Sequence, residues 1–419
     1  MPADPVSLPS PRYPSLAAGA TCAGRWIVIA LGFSIPISVA LDNVLLAATA
    51  LMWLAAGDLR AKLGIIRNNP VALAACVLFG LFTLGLAWGT RTPGDGLRYL
   101  GKYADLLFVP LFMVFFADAK TRERALYAFA LAALASVIAS HLAYFNLLTD
   151  NPLLPRRPDY PVGFKFSLTH NLIVAFAAFL FALFAREETA RKRRWCLGAL
   201  AAFAAHNVVF MVLGRTGYLV LALLFVYFFV VTCGRRGLPL IAVIVATTMA
   251  AAYVTSSTFR SRADVTASQL RQWQPGTPSA DSVGMRLEFY SMSLGIIREN
   301  PLLGTGTGSF PTVYASAAAQ RNMAGTDNPH NEYLLITVQL GLTGLACLLY
   351  LFFRQWQFAG RLEQTLYRDL ARGLVLTFAV GCLFNSLLVD HTEGLLFAWL
   401  SALVFAASVK RPEAPGPAP

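Results

Sequence analysis

The sequence predicts an all-α integral membrane protein with about twelve transmembrane helices and one long loop on the outer side. Hydrophobic residues make up 57% of the 419 residues, and charged residues make up only 13%. A helix needs about 20 apolar residues to cross a bilayer, and the chain contains roughly twelve such runs. Because lipid offers the backbone no hydrogen-bond partners, these runs are expected to be helices.

The apolar runs follow one another closely over residues 26–256 and resume at residue 330. The first two are short and are separated only around Asp42-Asn43, which predicts a tight hairpin. We place the spans near residues 26–40, 42–57, 70–89, 102–118, 126–148, 168–185, 196–213, 216–233, 238–256, 330–352, 370–388 and 394–409.

Basic residues predict the orientation of these helices. Loops rich in Lys and Arg face the cytoplasm, and twelve spans put all such loops on one side, together with both termini. The net charge of +12 is then explained by topology. A nucleic-acid partner is not indicated, since the basic residues are not gathered on one face. The basic loops contain Arg60, Lys62 and Arg67; Lys120, Arg122 and Arg124; Arg186, Arg191, Lys192, Arg193 and Arg194; Arg235 and Arg236; Arg354, Arg361, Arg368 and Arg372; and Lys410 and Arg411.

The domain organisation follows from the spans. Residues 25–409 are expected to form one transmembrane domain, which includes the long outer loop at 256–329. Residues 1–24 lack a basic region ahead of an apolar core, so a disordered cytoplasmic tail is expected there and not a cleaved signal. Residues 410–419 form a second cytoplasmic tail. None of the six cysteines lies in the long loop, so they are expected to pack as small apolar side chains without disulfides.

Loops as long as this outer loop are usually either functional or disordered, and the pattern within it predicts that it is partly ordered. From Met285 to Glu299 the apolar residues recur at intervals of three and four, which predicts an amphipathic helix on the outer membrane surface. Pro301 and Gly304 would end this helix. The following Gly304–Gly308 segment has no strand before it, so it predicts a tight turn and not a nucleotide-binding loop.

Four segments of the second half resemble the signature of the O-antigen ligase and polymerase superfamily. Two further segments resemble elements of the same family, although Gly214 stands where the family has Ser. The resemblance covers most of the second half of the chain, and in the first half it extends only to the topology. The segments are 284–290, 299–306, 329–334 and 341–344 for the signature, and Leu213-Gly214-Arg215-Thr216-Gly217 and Phe166-Ser167-Leu168-Thr169-His170-Asn171 for the further elements.

This resemblance implies a glycosyltransferase with an architecture like that of the GT-C class. Such enzymes transfer a glycan from undecaprenyl diphosphate at the outer face of the bacterial inner membrane. Ligases pass O-antigen polysaccharide to a sugar hydroxyl of lipid A-core in the periplasm and need no divalent metal or other cofactor. The sequence contains no Asp-x-Asp, no His-Glu-x-x-His and no His/Cys cluster with metal spacing, which also predicts no catalytic metal.

His330 is the candidate general base. It follows Asn328 and Pro329, which suit the N-cap and first position of a helix. The positive end of a helix dipole disfavours the imidazolium, and a neutral imidazole can take a proton from a hydroxyl near neutral pH. The alternative is a histidine that only hydrogen-bonds the loop.

Arg215 and Arg286 are the candidate ligands of the donor diphosphate. A guanidinium matches phosphate oxygens in pairs, and its charge stabilises the negative charge that grows on the leaving diphosphate. Arg215 could instead be a snorkelling residue at the end of a span, and Arg286 a surface residue paired with Glu288.

Other polar residues at the outer face are candidates for substrate binding. Each has a structural alternative, such as interfacial anchoring, helix capping or a solvated loop charge. The Asp390–Glu393 turn could orient His330 or the acceptor, and the paired arginines 156 and 157 could meet lipid A phosphates. The candidates are Lys102, Arg98, His170, Asn171, Asn331, Arg156, Arg157 and His391.

Three other functions remain open at this point. A polymerase of the same superfamily would extend the glycan on its carrier, and a protein O-oligosaccharyltransferase would use a protein acceptor. A transporter would show inverted repeats and broken helices at the midplane, whereas here the polar groups cluster at one face.

Overall fold

The computed structural model describes residues 16–89, 93–145, 147, 161–212, 214–234, 237–274, 281–321 and 323–406. These residues form α-helices joined by turns, with one π turn and no strand among them. The α-helical prediction is thereby confirmed for the described part of the chain. The helices are α1 (Leu16–Ser34), α2 (Val39–Ala55), α3 (Leu59–Asn68), α4 (Pro70–Gly85), α5 (Pro93–Lys102), α6 (Asp105–Phe115), α7 (Ala119–Tyr144), α8 (Ser167–Glu187), α9 (Arg191–His206), the π turn (Asn207–Met211), α10 (Arg215–Cys233), α11 (Leu238–Thr255), α12 (Ser257–Gln272), α13 (Ser282–Glu299), α14 (Phe310–Ala319), α15 (Glu332–Ala359), α16 (Thr365–Gly381) and α17 (His391–Phe405).

Every predicted span contains a helix, but fewer helices meet the length and apolarity of a full crossing. Among the described residues six do so: α1, α7, α8, α9 with the π turn, α10 and α15. A seventh arises if α2 and α3 count as one span bent by 113°. Helices α4 and α17 are apolar but shorter. The chain is therefore a multi-pass α-helical membrane protein.

The N-terminal boundary differs from the prediction. Helix α1 begins at Leu16, so residues 16–24 are helical and not part of a disordered tail. Gly24 packs closely against α6, since a Cβ added there would lie 2.1 Å from the Phe115 ring. Residues 1–15 and the tail 410–419 lie outside the described residues.

The first hairpin also turns earlier than predicted. Helix α1 ends at Ser34, just before Ile35-Pro36, because a proline disfavours helical geometry in the preceding residue. The Ser38 side chain then caps α2 by accepting a hydrogen bond from Leu41 N. Asp42, expected at the turn, lies buried in the first turn of α2.

A helix is present over the predicted residues 285–299, as α13. It begins three residues earlier than expected, at Ser282, because Asp281 caps it by accepting from the backbone N–H of Val283 and Gly284. Helices α12 and α14 flank it in the chain.

Helix α15 is interrupted at Gly341, whose φ is +64°. At this break the helix exchanges hydrogen bonds with the loop that follows α13. Leu342 N donates to Pro301 O at 2.7 Å, and Gly306 N donates to Gln339 O at 2.7 Å. The exchange fixes the loop after α13 against α15, and so fixes the far end of α13 itself.

The Gly304–Gly308 segment is part of the same packing and contacts both α4 and α15. Its three glycines all have positive φ, and a Cβ on any of them would strike neighbouring backbone at 2.6 Å or less. Thr307 N donates to Gly85 O at 3.0 Å and Gly308 N to Gln339 Oε1 at 2.7 Å. These amides bind the protein's own oxygens, so the segment is a packing hub between α4 and α15, and not a phosphate cradle.

Candidate active site

His330 occupies a strained turn directly before α15. Its φ is +53°, a left-handed conformation that is uncommon for a residue with a side chain. His330 N donates to Asn328 Oδ1 at 2.8 Å, and the same oxygen accepts from Ser386 Oγ at 2.7 Å. Strain of this kind persists only where the surroundings hold it, and it concentrates at functional sites.

The helix cap differs from the prediction. Helix α15 begins at Glu332 and its N-cap is Asn331, whose side chain accepts from Leu334 N at 3.0 Å. Asn328 and Pro329 therefore lie outside the helix, and Asn328 fixes the turn instead. The prediction was wrong because two asparagines bracket His330 and both suit an N-cap. Asn331 also donates to Leu383 O at 3.0 Å, so its side chain is engaged by the protein.

Helix α13 lies alongside His330 and contributes three residues to the site. The Phe289 ring stacks near the imidazole, with ring centroids 6.3 Å apart and planes at 28°. Tyr290 Oη lies 2.9 Å from Leu383 O and 3.2 Å from His330 O, and its one hydrogen is shared between these two acceptors. Arg286 is one turn before Tyr290 on the same helix, and its positive charge acts on both Tyr290 and His330.

The surroundings of His330 favour its neutral form. Burial lowers the pKa of His330 below its ordinary value, and the nearby Arg286 charge lowers it further, while Asp327 acts in the opposite direction. Removal from water and a like charge both disfavour the imidazolium. The side chain is half-buried, so it remains open to a reactant.

Arg215 meets α13 one turn away from Arg286. It is the first residue of α10, and it donates to Thr266 Oγ1 on α12 at 3.1 Å and to Ser282 Oγ on α13 at 2.9 Å. Ser282 and Arg286 are four residues apart, which puts them on one face of α13. The structure thus brings the two predicted arginines and His330 to a single helix.

The segment between α16 and α17 ties these elements together. Asn385 Nδ2 donates to Thr216 Oγ1 at 2.9 Å, beside Arg215, while Ser386 binds Asn328, beside His330. The fully buried Glu332 accepts from Leu388 N at 2.8 Å. Sequence reasoning missed this segment, because its apolar residues extend the preceding apolar run.

Arg98 and Lys102 lie on α5 at the side of the site that carries Asp327 and Asp390. Arg98 forms a 4.0 Å ion pair with Asp327, and both side chains are more than half exposed. Tyr99 Oη donates to Asp327 O at 2.6 Å, which fixes α5 to the turn before His330. Burial raises the pKa of Asp390, and Lys102 opposes this rise. Because the Arg98 side chain is more than half exposed, it is accessible to an anionic group.

The remaining candidates are not gathered around His330. His170 is buried, with Nε2 2.8 Å from Asn207 Oδ1 and Nδ1 3.2 Å from Ser136 Oγ. Asn171 is buried and donates to Val212 O at 3.1 Å. The charges that act on His391 are those of Asp42 and Lys165. Arg156 and Arg157 lie outside the described residues.

Among the described residues, no group of three or more His, Cys, Asp or Glu side chains could hold a metal ion. The same region brings together a histidine whose neutral form is favoured and two arginines that α13 relates to it. They lie at one end of a helical membrane bundle, and this arrangement defines the class of protein: a multi-pass membrane protein with a basic polar site at one face.

The comparison with protein families names the domain. Residues 200–349 match the family model of O-antigen ligases, and the chain therefore contains a domain of the O-antigen ligase family, as the motifs predicted. The matched range runs from α9 into α15 and includes Arg215, Arg286 and His330. No curated protein matches the chain.

Proposed function

We propose that this protein is a glycosyltransferase that moves O-antigen polysaccharide from undecaprenyl diphosphate to a sugar hydroxyl of lipid A-core. One observation carries the proposal. The Phe289 ring of α13 stacks near the His330 imidazole, the charge of Arg286 on the same helix acts on that imidazole, and Arg215 binds α13 at Ser282, one turn from Arg286. A proton acceptor next to two phosphate-matching cations suits the transfer of a sugar from a diphosphate carrier.

In the proposed reaction His330 acts as general base. Its imidazole takes the proton of the acceptor hydroxyl while the hydroxyl oxygen bonds to the anomeric carbon of the donor sugar. The bond from that carbon to the diphosphate oxygen breaks, and its electron pair leaves with the diphosphate. Arg215 and Arg286 stabilise the charge that grows there. A single displacement inverts the anomeric configuration, and the two guanidinium groups supply the charge that a divalent metal would otherwise supply.

An apolar groove beside Arg215 supports the proposal that the donor is carried on a polyprenyl chain. A cavity of about 340 Å³ between α9, α10 and α11 includes Tyr218, one turn after Arg215, and Phe259 of α12. It shares Ala202, Ala205 and other lining residues with a second cavity of about 460 Å³ between α8, α9 and α10. A carrier with its diphosphate on Arg215 could lay an isoprenoid chain along this groove.

We further propose a twelve-span arrangement of GT-C type in the bacterial inner membrane, with both termini cytoplasmic and the site facing the periplasm. The helices within the twelve predicted spans support it, although several are short. A topology reporter after Gly64 or Ala190 should read as cytoplasmic, and one after Gln274 as periplasmic. A cytoplasmic signal at Gln274 would contradict the arrangement.

The function is tested by reconstitution. Purified protein in lipid vesicles receives undecaprenyl diphosphate-linked glycan and lipid A-core, and gels follow both glycan pools. Transfer to lipid A-core is expected, and it should persist in excess EDTA. Because divalent ions also bridge lipopolysaccharide phosphates, the chelated sample needs a detergent-dispersed control. Longer glycan that stays on the carrier would instead indicate a polymerase, and glycan on protein would indicate a protein O-oligosaccharyltransferase.

A further inference from the structure

Asn171 lies against the turn that carries Arg215. It is fully buried in the first turns of α8, and its Nδ2 donates to Val212 O at 3.1 Å, three residues before Arg215. Tyr218 Oη donates to the same carbonyl at 3.3 Å. Two side chains therefore fix the end of the turn at Val212. Tyr218 belongs to α10, whereas Asn171 comes from a different helix, α8.

Two glycines make room for the Asn171 side chain. A Cβ at Gly214 would lie 2.3 Å from Asn171 Nδ2, and one at Gly217 would lie 2.5 Å from Asn171 Cβ. Gly214 has a φ of −177°, an extended conformation open to any residue. The need for glycine there comes from the space that Asn171 occupies.

The neighbouring His170 holds the other end of the same turn. The turn is a π turn, closed by a bond from Val212 N to Asn207 O at 3.1 Å. The Asn207 side chain lies 2.8 Å from His170 Nε2 and donates to Ser140 Oγ at 2.9 Å. Single π turns inside helices are rare and often occur at functional sites. Adjacent residues of α8 thus fix both ends of the segment that leads to Arg215.

We propose that Asn171 is a positioning residue for Arg215, with His170 supporting it, and that neither touches substrate. Asn171 fixes where α10 begins, and hence how the Arg215 guanidinium stands relative to Ser282 and Arg286 on α13. The inference rests on the proposed function, in which Arg215 holds the donor diphosphate. Loss of Asn171 should therefore weaken diphosphate binding, and should do so only while Arg215 is present.

The glycines provide a matched test. Affinity for glycan-free undecaprenyl diphosphate is measured for Gly214→Ala and Gly217→Ala, each alone and with Asn171→Ala. Each glycine variant alone should weaken binding. Asn171→Ala removes the amide that Gly214→Ala strikes and leaves its Cβ at an ordinary 3.4 Å, so the cost of Gly214→Ala should disappear in that background. Gly217→Ala strikes the Cβ, which alanine retains, so its cost should persist.

A second pair of variants separates positioning from general destabilisation. Asn171→Ala should weaken binding about tenfold, the equivalent of one hydrogen bond, but should change it little when Arg215 is already alanine. Gln355→Ala is the matched control, because Gln355 is a buried amide bonded to Ser401 at 2.8 Å, away from the site. It should alter thermal stability without altering affinity. Equal losses with and without Arg215, or a Gly214→Ala cost that is unchanged by Asn171→Ala, would overturn the inference.

Failure of the proposed function would look different. Failure of the wild-type protein to bind undecaprenyl diphosphate would refute the proposed function. Amide hydrogen exchange would then test the positioning role of Asn171 independently. Amides between residues 207 and 218 should exchange faster in Asn171→Ala and not in Gln355→Ala. Unchanged exchange there would refute the positioning role on its own.

Discussion

Tyr290 donates its hydroxyl hydrogen to the backbone carbonyl of His330 at 3.2 Å. The contact joins the middle of α13 to the strained turn that presents the imidazole. Arg286 lies one turn earlier on that helix, so α13 aligns the proposed base and one proposed phosphate ligand. A shift of α13 would move both groups together.

Tyr290→Phe should therefore impair turnover without greatly weakening donor binding. The variant keeps the ring but loses the bonds to His330 O and Leu383 O. The single hydroxyl hydrogen is shared between these two acceptors, and a bond of this kind is worth about 1 kcal/mol, which predicts a fall in kcat of roughly fivefold and a smaller change in KM. Steady-state transfer in vesicles measures both constants.

Tyr333→Phe is the control for this variant. Its hydroxyl also donates to a carbonyl, Ala379 O at 2.7 Å, but it joins α15 to α16 and does not touch His330. A kcat loss of equal size in Tyr333→Phe would show that the Tyr290 effect is one of general stability.

The sequence predicted the helical class and the helix α13, because the periodicity of apolar residues records local requirements. It did not predict that residues 382–388 lie outside a helix. The apolar run near 370–388 continues past Gly381, where α16 ends. Apolarity marks a residue as buried and cannot distinguish a buried helix from a buried turn. That turn holds Asn328, Glu332 and Thr216 by contacts over long sequence distances.

The π turn and the glycine hub escaped prediction for a related reason. A π turn adds one residue to a helical turn, and here the Asn207 side chain meets His170 and Ser140 on other helices. Gly306 has a positive φ, and a Cβ there would also lie 2.2 Å from Gly89 Cα. The partners of Asn207 and of Gly306 lie far away in the sequence, so no local sequence pattern indicates the π turn or the need for glycine at 306.

Arg215→Lys and Arg286→Lys should each lose most transfer activity. Lysine keeps the positive charge but cannot donate two parallel hydrogen bonds to one phosphate. Arg298→Lys, an exposed arginine in the last turn of α13, serves as the control and should be silent. Transfer rates are compared in membranes at matched expression. Wild-type rates in both site variants would refute the assignment of the diphosphate to these arginines.

The acid limb of the pH profile should report His330. The base works only when neutral, so kcat/KM should rise with pH through a midpoint below the ordinary histidine value of 6.5. Arg286→Gln removes a positive charge that disfavours the imidazolium, so the pKa of His330 should rise and the limb should move to higher pH.

The informative quantity is the midpoint pH of the acid limb and not the maximum value of kcat/KM, since Arg286→Gln is also expected to lose phosphate binding. Arg298→Gln should leave the midpoint in place. A midpoint that falls in Arg286→Gln, or that is equally displaced in Arg298→Gln, would be incompatible with the proposed electrostatic contact.

His330 itself provides the most direct test of the mechanism. His330→Ala should insert and fold normally but leave glycan on its carrier, because loss of general base catalysis typically costs about 10²–10⁴ in rate. His330→Gln should be nearly as poor, since an amide can hydrogen-bond the acceptor hydroxyl but cannot take its proton. Single-turnover transfer measures the rate, and nuclear magnetic resonance of the product linkage gives its anomeric configuration. Near-normal transfer by His330→Gln would exclude His330 as the base, and a configuration that matches the donor's would exclude a single inverting displacement.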